Sequence, residues 1–306
     1  MAKILLFGKG GQVGWELQRS LAPLGELVAV DFDSSDHCGD FTNLQGLTET
    51  VRNVKPDFIV NAGAHTAVDK AESEPELVRT INALAPGVLA QTAAQAGAWL
   101  VHYSTDYVFD GSGQRPWLET DATAPLNTYG QSKQEGEALI QTSGCKHLIF
   151  RTSWVYGARG SNFAKTMLKL AQERESLKVI NDQFGAPTGA ELLADVTAQV
   201  LQKANHGLTR HAINLSGLYH LVASGETTWF DYAQHVVDVA QRLQPSLKIT
   251  AKTIDPVASS AFQTAARRPF NSRLNTSKLQ TTFDIQLPCW KTGVDRMLTE
   301  FLERQA

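Results

Sequence analysis

The stretch AKILLFGKGGQVG, residues 2–14, decides the fold. Its apolar run Ile4–Phe7 ends at Gly8, which is too short for a signal-peptide core or a membrane span and reads as a buried first strand. Gly8, Gly11 and Gly14 then stand three residues apart, and a helix-period pattern follows with Leu17, Leu21 and Leu24 on one face. Glycines between a strand and a helix let the chain turn tightly and bring backbone N–H groups against a pyrophosphate, while the helix start adds partial positive charge. The expectation is a dinucleotide loop made by Gly8, Gly11, Gln12, Val13 and Gly14, with a plain tight turn as the blander reading.

Working outward, apolar β-branched runs recur at Leu27–Val30, Phe58–Val60, Trp99–His102, Leu148–Phe150 and Ala212–Leu215, separated by helical patterns. One such pattern places Leu77, Ile81, Leu84 and Val88 on a shared face. Alternating strand and helix predicts an α/β fold, a Rossmann-type doubly wound parallel sheet with ligands at the carboxyl ends of its strands. From about Ser153 the pattern loosens, with helices expected near 161–174, 189–204, 227–243 and 291–304. The division expected is a dinucleotide-binding domain over 1–152, with returns near 189–216, and a smaller, partly interleaved substrate domain over 153–306.

Asp31 closes the second strand 23 positions after Gly8. Its carboxylate can accept from a ribose 2′-hydroxyl, which favours NADH, whereas Lys9 pulls weakly toward NADPH. A solvated turn residue in DFDSSD is the alternative. Composition sets the outer limits: 306 residues, 42% hydrophobic, with a formal charge of -3, allow a sizeable core and supply no field for nucleic acid. The three cysteines, Cys38, Cys145 and Cys289, show no zinc or disulfide spacing, which suits a reduced cytoplasm.

The catalytic candidates lie in YGQSK, where Tyr129 and Lys133 at i,i+4 share a helix face. A free phenol titrates near ~10; an adjacent ammonium and a nicotinamide cation both favour its ionised form and bring it toward working range. Tyr129 is then the proton donor to a carbonyl oxygen, Lys133 its partner and a ligand for the nicotinamide ribose. Upstream in STDYVFDG, the Thr105 hydroxyl can orient the same oxygen. A surface Tyr/Lys pair is the alternative reading of YxxxK taken alone.

GxxGxxG in place of GxGxxG resembles the extended short-chain dehydrogenase/reductase superfamily. The stretches NAGAHTAVDKAE, STDYVFDG, YGQSK, RTSWVYG, DQFGAPT and RRPFNSRLNTSKL extend the likeness, and together they resemble the dTDP-4-dehydrorhamnose reductase family. That resemblance implies reduction of the C4 keto group of a dTDP-linked deoxy-keto sugar by NADPH or NADH, in dTDP-L-rhamnose synthesis for surface polysaccharide such as the lipopolysaccharide O-antigen. It implies that Asp40 and Phe41 flank the adenine and that Ala62, Gly63, Ala64, His65 and Thr66 lie along the cofactor. It also implies sugar-nucleotide contacts from Thr66, Val68, Thr105, Asp106, Tyr107 and Trp154, although an aromatic such as Trp154 can equally fill core. Arg267, Arg268 and Arg273 are candidates for the diphosphate, a solvated basic turn being the alternative.

Some relatives are described as homodimers held through Mg²⁺, which makes Glu16, Glu191 and Asp195 candidates for a structural metal; helix-surface acids are otherwise simply solvated. Where the related 4,6-dehydratases carry Asp-Glu after the threonine, this chain has Asp106-Tyr107, so the eliminating Glu is absent. A non-catalytic, cofactor-binding regulatory subunit and a sugar-nucleotide epimerase or dehydratase are the competing readings; retention of Thr105, Tyr129 and Lys133 together favours reduction.

Overall fold

A computed structural model describes residues 1–207 and 215–304. In it the opening run is strand β1, Ala2–Phe7. Ile4 and Leu6 enter one core cluster while Leu5 and Phe7 enter another, as expected of a strand covered on both faces. Five strands join it: β2 (Gly25–Val30), β3 (Phe58–Asn61), β4 (Trp99–Thr105), β5 (Lys146–Thr152) and β6 (Gly217–His220). All pair in parallel in the order β2-β1-β3-β4-β5-β6, seen from one edge. The order reverses between β1 and β3, and connections leaving in opposite directions there open a crevice at the carboxyl ends. The strand expected over 212–215 falls, apart from Leu215, outside the described residues, and the sixth strand begins at Gly217.

Helix α1 (Gln12–Leu21) buries Leu17 and Leu21 on one face of the sheet; α2 (Leu44–Val54) and α3 (Ala85–Ala96) cover the other. The stripe expected at Leu77, Ile81, Leu84 and Val88 is not the buried one. Leu77 is exposed, and Val78, Asn82, Ala83, Ala85 and Leu89 turn inward instead. The cause is a π-helical turn over Thr80–Leu84. Pro86 has no N–H for the carbonyl four residues earlier, that of Asn82, so the ladder slips by one residue and the inward face changes phase. The freed Asn82 carbonyl lies against Gly136 so closely that a Cβ there would stand 2.3 Å from it.

Gly136 belongs to α4 (Thr128–Thr142), which carries Tyr129 and Lys133. The helix starts where it does because Asn127 caps it, its side chain accepting from the Gly130 N–H at 2.8 Å. Beyond β5, α5 (Phe163–Glu173), α7 (Trp229–Leu243) and α9 (Trp290–Glu303) share a separate core around Tyr232, Val236 and Leu298, close to the positions expected. Strands Ser176–Ile180 and Thr253–Val257 pair in parallel beside it. Helix α6 (Ala190–Gly207) returns to the main sheet and buries Leu193, Val196 and Val200 in the core that holds Leu17 and Leu21, as does α8 (Ser277–Phe283) through Leu279 and Phe283.

Candidate active site

The glycine loop fits a dinucleotide. Gly8 has φ +81°, and a Cβ on it would stand 2.6 Å from the Gly63 nitrogen, so the loops after β1 and β3 touch through bare backbone. Gly11 leads into α1 without any side-chain cap, leaving the first-turn amides at Gln12 and Val13 free of a side-chain acceptor, and Gly14 is buried in that turn. Asp31 is tied into the loop: its carboxylate accepts from Gly10 N–H at 2.7 Å and from Phe32 N–H at 3.0 Å. Lys9 donates to Ser34 at 3.3 Å on the same side. Asp40 accepts from both the backbone and the hydroxyl of Thr42, and Phe41 is buried edge-on against Phe7.

The loop over Ala62, Gly63, Ala64, His65 and Thr66 is held from two sides. Asn61 accepts from Gly63 N–H at 3.0 Å, and Asn82 grips His65 at both backbone groups, accepting at 2.9 Å and donating at 3.0 Å. Thr66 is exposed and Val68 half-buried at the start of a short helix, Val68–Ala71. Neither Asn61 nor Asn82 was among the sequence candidates; a polar residue inside an apolar strand or helix face was the only signal.

Thr105 ends β4 beside the Tyr129 phenol, and its hydroxyl accepts from Tyr107 N–H and donates to Asp106 at 3.1 Å. Burial pushes Tyr129 up to about 12, the Thr105 bond working against that and the Asp106 charge with it. Asp106 is itself pushed up to about 7 by burial, opposed by hydrogen bonds from Ser272 and Thr105. Lys133 is held down to about 8 by burial, with the Glu137 charge opposing. Its amine meets His102 Nε2 at 3.1 Å and donates to the Tyr103 carbonyl at 2.6 Å; neither bond goes to Tyr129, so the ammonium–phenol contact expected from the spacing is not made. Glu137 is clamped two-fold by Arg151 at 2.9 and 2.6 Å. Ser104, Thr152 and Ser153, at the ends of β4 and β5, keep buried hydroxyls without a partner among the described residues, as a site awaiting a polar ligand would.

Tyr107 meets Tyr129 edge-on at 5.6 Å and also lines a cavity of about 1010 Å³. The cavity has apolar walls at Phe163, Trp229 and Phe270 and cations at Lys178, Arg267 and Arg268. That combination suits a base-and-sugar ligand carrying a diphosphate. Trp154 is not among its lining residues: it stacks on Trp229 at 3.6 Å, and Trp229, which sequence reasoning passed over, presents the ring to the cavity. Arg268 is shared with Asp69 at 2.6 Å, and Arg273 pairs with Glu226 at 2.7 Å beside the Phe184 ring. The metal grouping is not formed: Arg19 pairs with Glu16 at 3.3 Å and with Asp195 at 2.9 Å, and burial pushes the Glu191 carboxyl up. Among the described residues no cluster of three or more His, Cys, Asp or Glu side chains could hold a metal ion.

A family model described as RmlD substrate binding domain matches residues 2–303. The dTDP-4-dehydrorhamnose reductase of Escherichia coli (strain K12) is 59% identical over 99% of both chains, and that of Salmonella typhimurium 60% identical over 97% of both. Among solved structures, a dTDP-4-dehydrorhamnose reductase from Bacillus anthracis str. Ames in complex with NADP matches at 33% identity and a TM-score of 0.85, covering 98% of this chain and 99% of that one. Likeness of this degree from end to end, on a fold that puts a glycine loop, Thr105 and Tyr129 along one crevice, means that the chain belongs to the dTDP-4-dehydrorhamnose reductase family.

Proposed function

We propose that this protein reduces the C4 keto group of dTDP-4-dehydrorhamnose to give dTDP-L-rhamnose, with NADPH or NADH as reductant. The observation that carries the chemistry is the Thr105–Tyr129 hydroxyl pair at the end of β4, beside a cavity with aromatic walls and basic side chains. Bound in the crevice, the reduced nicotinamide supplies a hydride. Tyr129 donates a proton to the carbonyl oxygen, Thr105 orients that oxygen, and Lys133 in its charged form makes the phenol a better acid. Gly8, Gly11, Gln12, Val13 and Gly14 receive the pyrophosphate, and Asp31, Asp40, Phe41 and residues 62–66 line the rest of the cofactor.

The Asp31 carboxylate favours NADH by charge, yet Lys9 offers a cation in the same loop, which is why we read NADPH as accepted too. Thr66, Val68, Asp106 and Tyr107 face the sugar nucleotide, with Trp154 backing Trp229. We assign 1–152, with returns near 189–216, to the cofactor and 153–306 mainly to the sugar nucleotide. The homodimer, the cytoplasmic location and the place in O-antigen synthesis rest on the resemblance to the family; among the described residues no helix is long and apolar enough to cross a membrane.

The test is loss of reduced-nicotinamide absorbance when purified protein meets NADPH or NADH and freshly generated dTDP-4-dehydrorhamnose. One dTDP-L-rhamnose is expected per reductant consumed, whereas an epimerase, a dehydratase or a regulatory subunit would consume none. Tyr129→Phe should lower kcat by about 10²-fold or more with cofactor affinity nearly intact, because it removes a proton donor and little surface. Unchanged turnover in that variant would discard the assignment.

A further inference from the structure

Between the loop after β3 and the catalytic lysine runs a buried file of polar groups: Asn61, His102 and Lys133 are each 1% exposed. Asn61 Nδ2 meets His102 Nδ1 at 3.0 Å, and His102 Nε2 meets Lys133 Nζ at 3.1 Å. The direction of the file is set at its far end. Gly63 N–H, a backbone donor that cannot reverse, points at Asn61 Oδ1 at 3.0 Å and so fixes which end of the amide is oxygen. The amide nitrogen therefore donates to His102 Nδ1, which must be bare, and a neutral imidazole with a bare Nδ1 carries its proton on Nε2. That proton points at the lysine nitrogen. An ammonium has no lone pair to receive it; an amine does.

We propose that His102 is a positioning residue for the reduction: held by Asn61 as the Nε2–H tautomer, it donates to Lys133 and keeps the resting lysine a neutral amine, drawn away from Tyr129. The lysine's other bond, donated to the Tyr103 carbonyl at 2.6 Å, is one that an amine can also make. Burial favours the uncharged form of both side chains, holding His102 well below its ordinary value and lowering Lys133. The groups facing the lysine from the elements packed on it are few. Glu137 lies one turn along α4 and is occupied by Arg151 of β5; Asp106, in the turn after β4, faces Tyr129; and β3 contributes the uncharged Asn61. The lysine becomes the ammonium that activates Tyr129 only by taking a proton from solvent and giving up the imidazole bond. The loop after β3 thus sets, through Gly63, Asn61 and His102, the state of the lysine behind it.

This inference rests on the assignment of Lys133 to the reduction, and its first test needs no turnover. In protein labelled with ¹⁵N-histidine, the resonance pair that vanishes in His102→Gln is His102. We expect a protonated Nε2 and a bare Nδ1 at about pH 9, where Lys133, held down to about 8, is an amine. A protonated Nδ1, or a ring carrying two protons, would overturn the proposal while leaving the reductase reading intact. The second test is the pH profile of kcat/KM. Glutamine at 102 can present its amide oxygen to an ammonium, which favours the charged lysine, so the alkaline limb should move up by about one pH unit in His102→Gln. A purely structural role would lower activity with the limb in place, and that result in a variant of unchanged thermal midpoint would also overturn it. Absence of reductase activity in the wild-type protein would sink the functional reading but leave the tautomer measurement standing.

Discussion

Asp106, in the turn after β4, is a buried acid whose charged form burial disfavours. Its carboxyl lies at about 7 in the folded chain against an ordinary value of 3.8, so between those values the folded state holds a proton that the unfolded state has lost. Stability must therefore fall as pH rises through that window. Asp106→Asn removes the charge and keeps an acceptor for Ser272 and Thr105; it should raise stability at about pH 8 by roughly 1–3 kcal/mol and give no gain at about pH 3, checked by denaturant melts at both. Individual residues were unequally legible in the sequence. Thr105, Tyr129 and Lys133 stand out by order and spacing, because they fall at one strand end and on one helix face. Asn61, Asn82 and His102 meet across separations of 17 to 50 positions along the chain, and nothing in a linear pattern pairs an asparagine with a distant histidine or serine. Lys133 lies buried on the same helix as Tyr129, but its amine is committed to His102 and Tyr103 rather than to the phenol.

Among the elements, the π turn over Thr80–Leu84 does the most to shape the site. It frees the Asn82 carbonyl toward Gly136 and aims the Asn82 side chain at His65 and Ser132, joining the loop after β3 to the helix that carries Tyr129. Gly136→Ala would force a methyl to 2.3 Å from a backbone oxygen, so α4 or the turn must move. The expected result is a loss of about 1–3 kcal/mol in denaturant unfolding, together with weaker NADPH binding by calorimetry as Asn82 loses its grip on His65. A stability change with unaltered cofactor affinity would separate the turn from the loop. The stripe at Leu77, Ile81, Leu84 and Val88 misled because hydrophobic periodicity assumes an unbroken ladder, and Pro86 interrupts it. Most strands, by contrast, were legible as short apolar runs; their true ends lie farther out because the polar residues that finish them, such as Asn61 and Thr105, are buried for the site's sake.

At the level of the whole molecule, the second half of the chain is tied into the first half's sheet by α6, α8 and β6. A fragment over 1–152 would expose the edge of β5 and the hydrophobic bed of Leu193, Val196 and Val200. It should aggregate or stay partly unfolded in circular dichroism and light scattering; a soluble, cooperatively melting fragment would show that the sheet does not need its late strand. The Pro- and Gly-containing irregularity after Ser153 signalled a change of architecture, but no periodicity in one sequence reveals which sheet a later strand rejoins.

That late strand has a consequence for how the protein is made. Ribosomes deliver β5 well before β6, so every nascent chain passes through an interval in which a parallel sheet edge stands bare beside an unfilled hydrophobic groove. Yield in the cell is then governed less by the finished molecule's stability than by how quickly the intervening segment is translated and how well chaperones shelter that edge meanwhile.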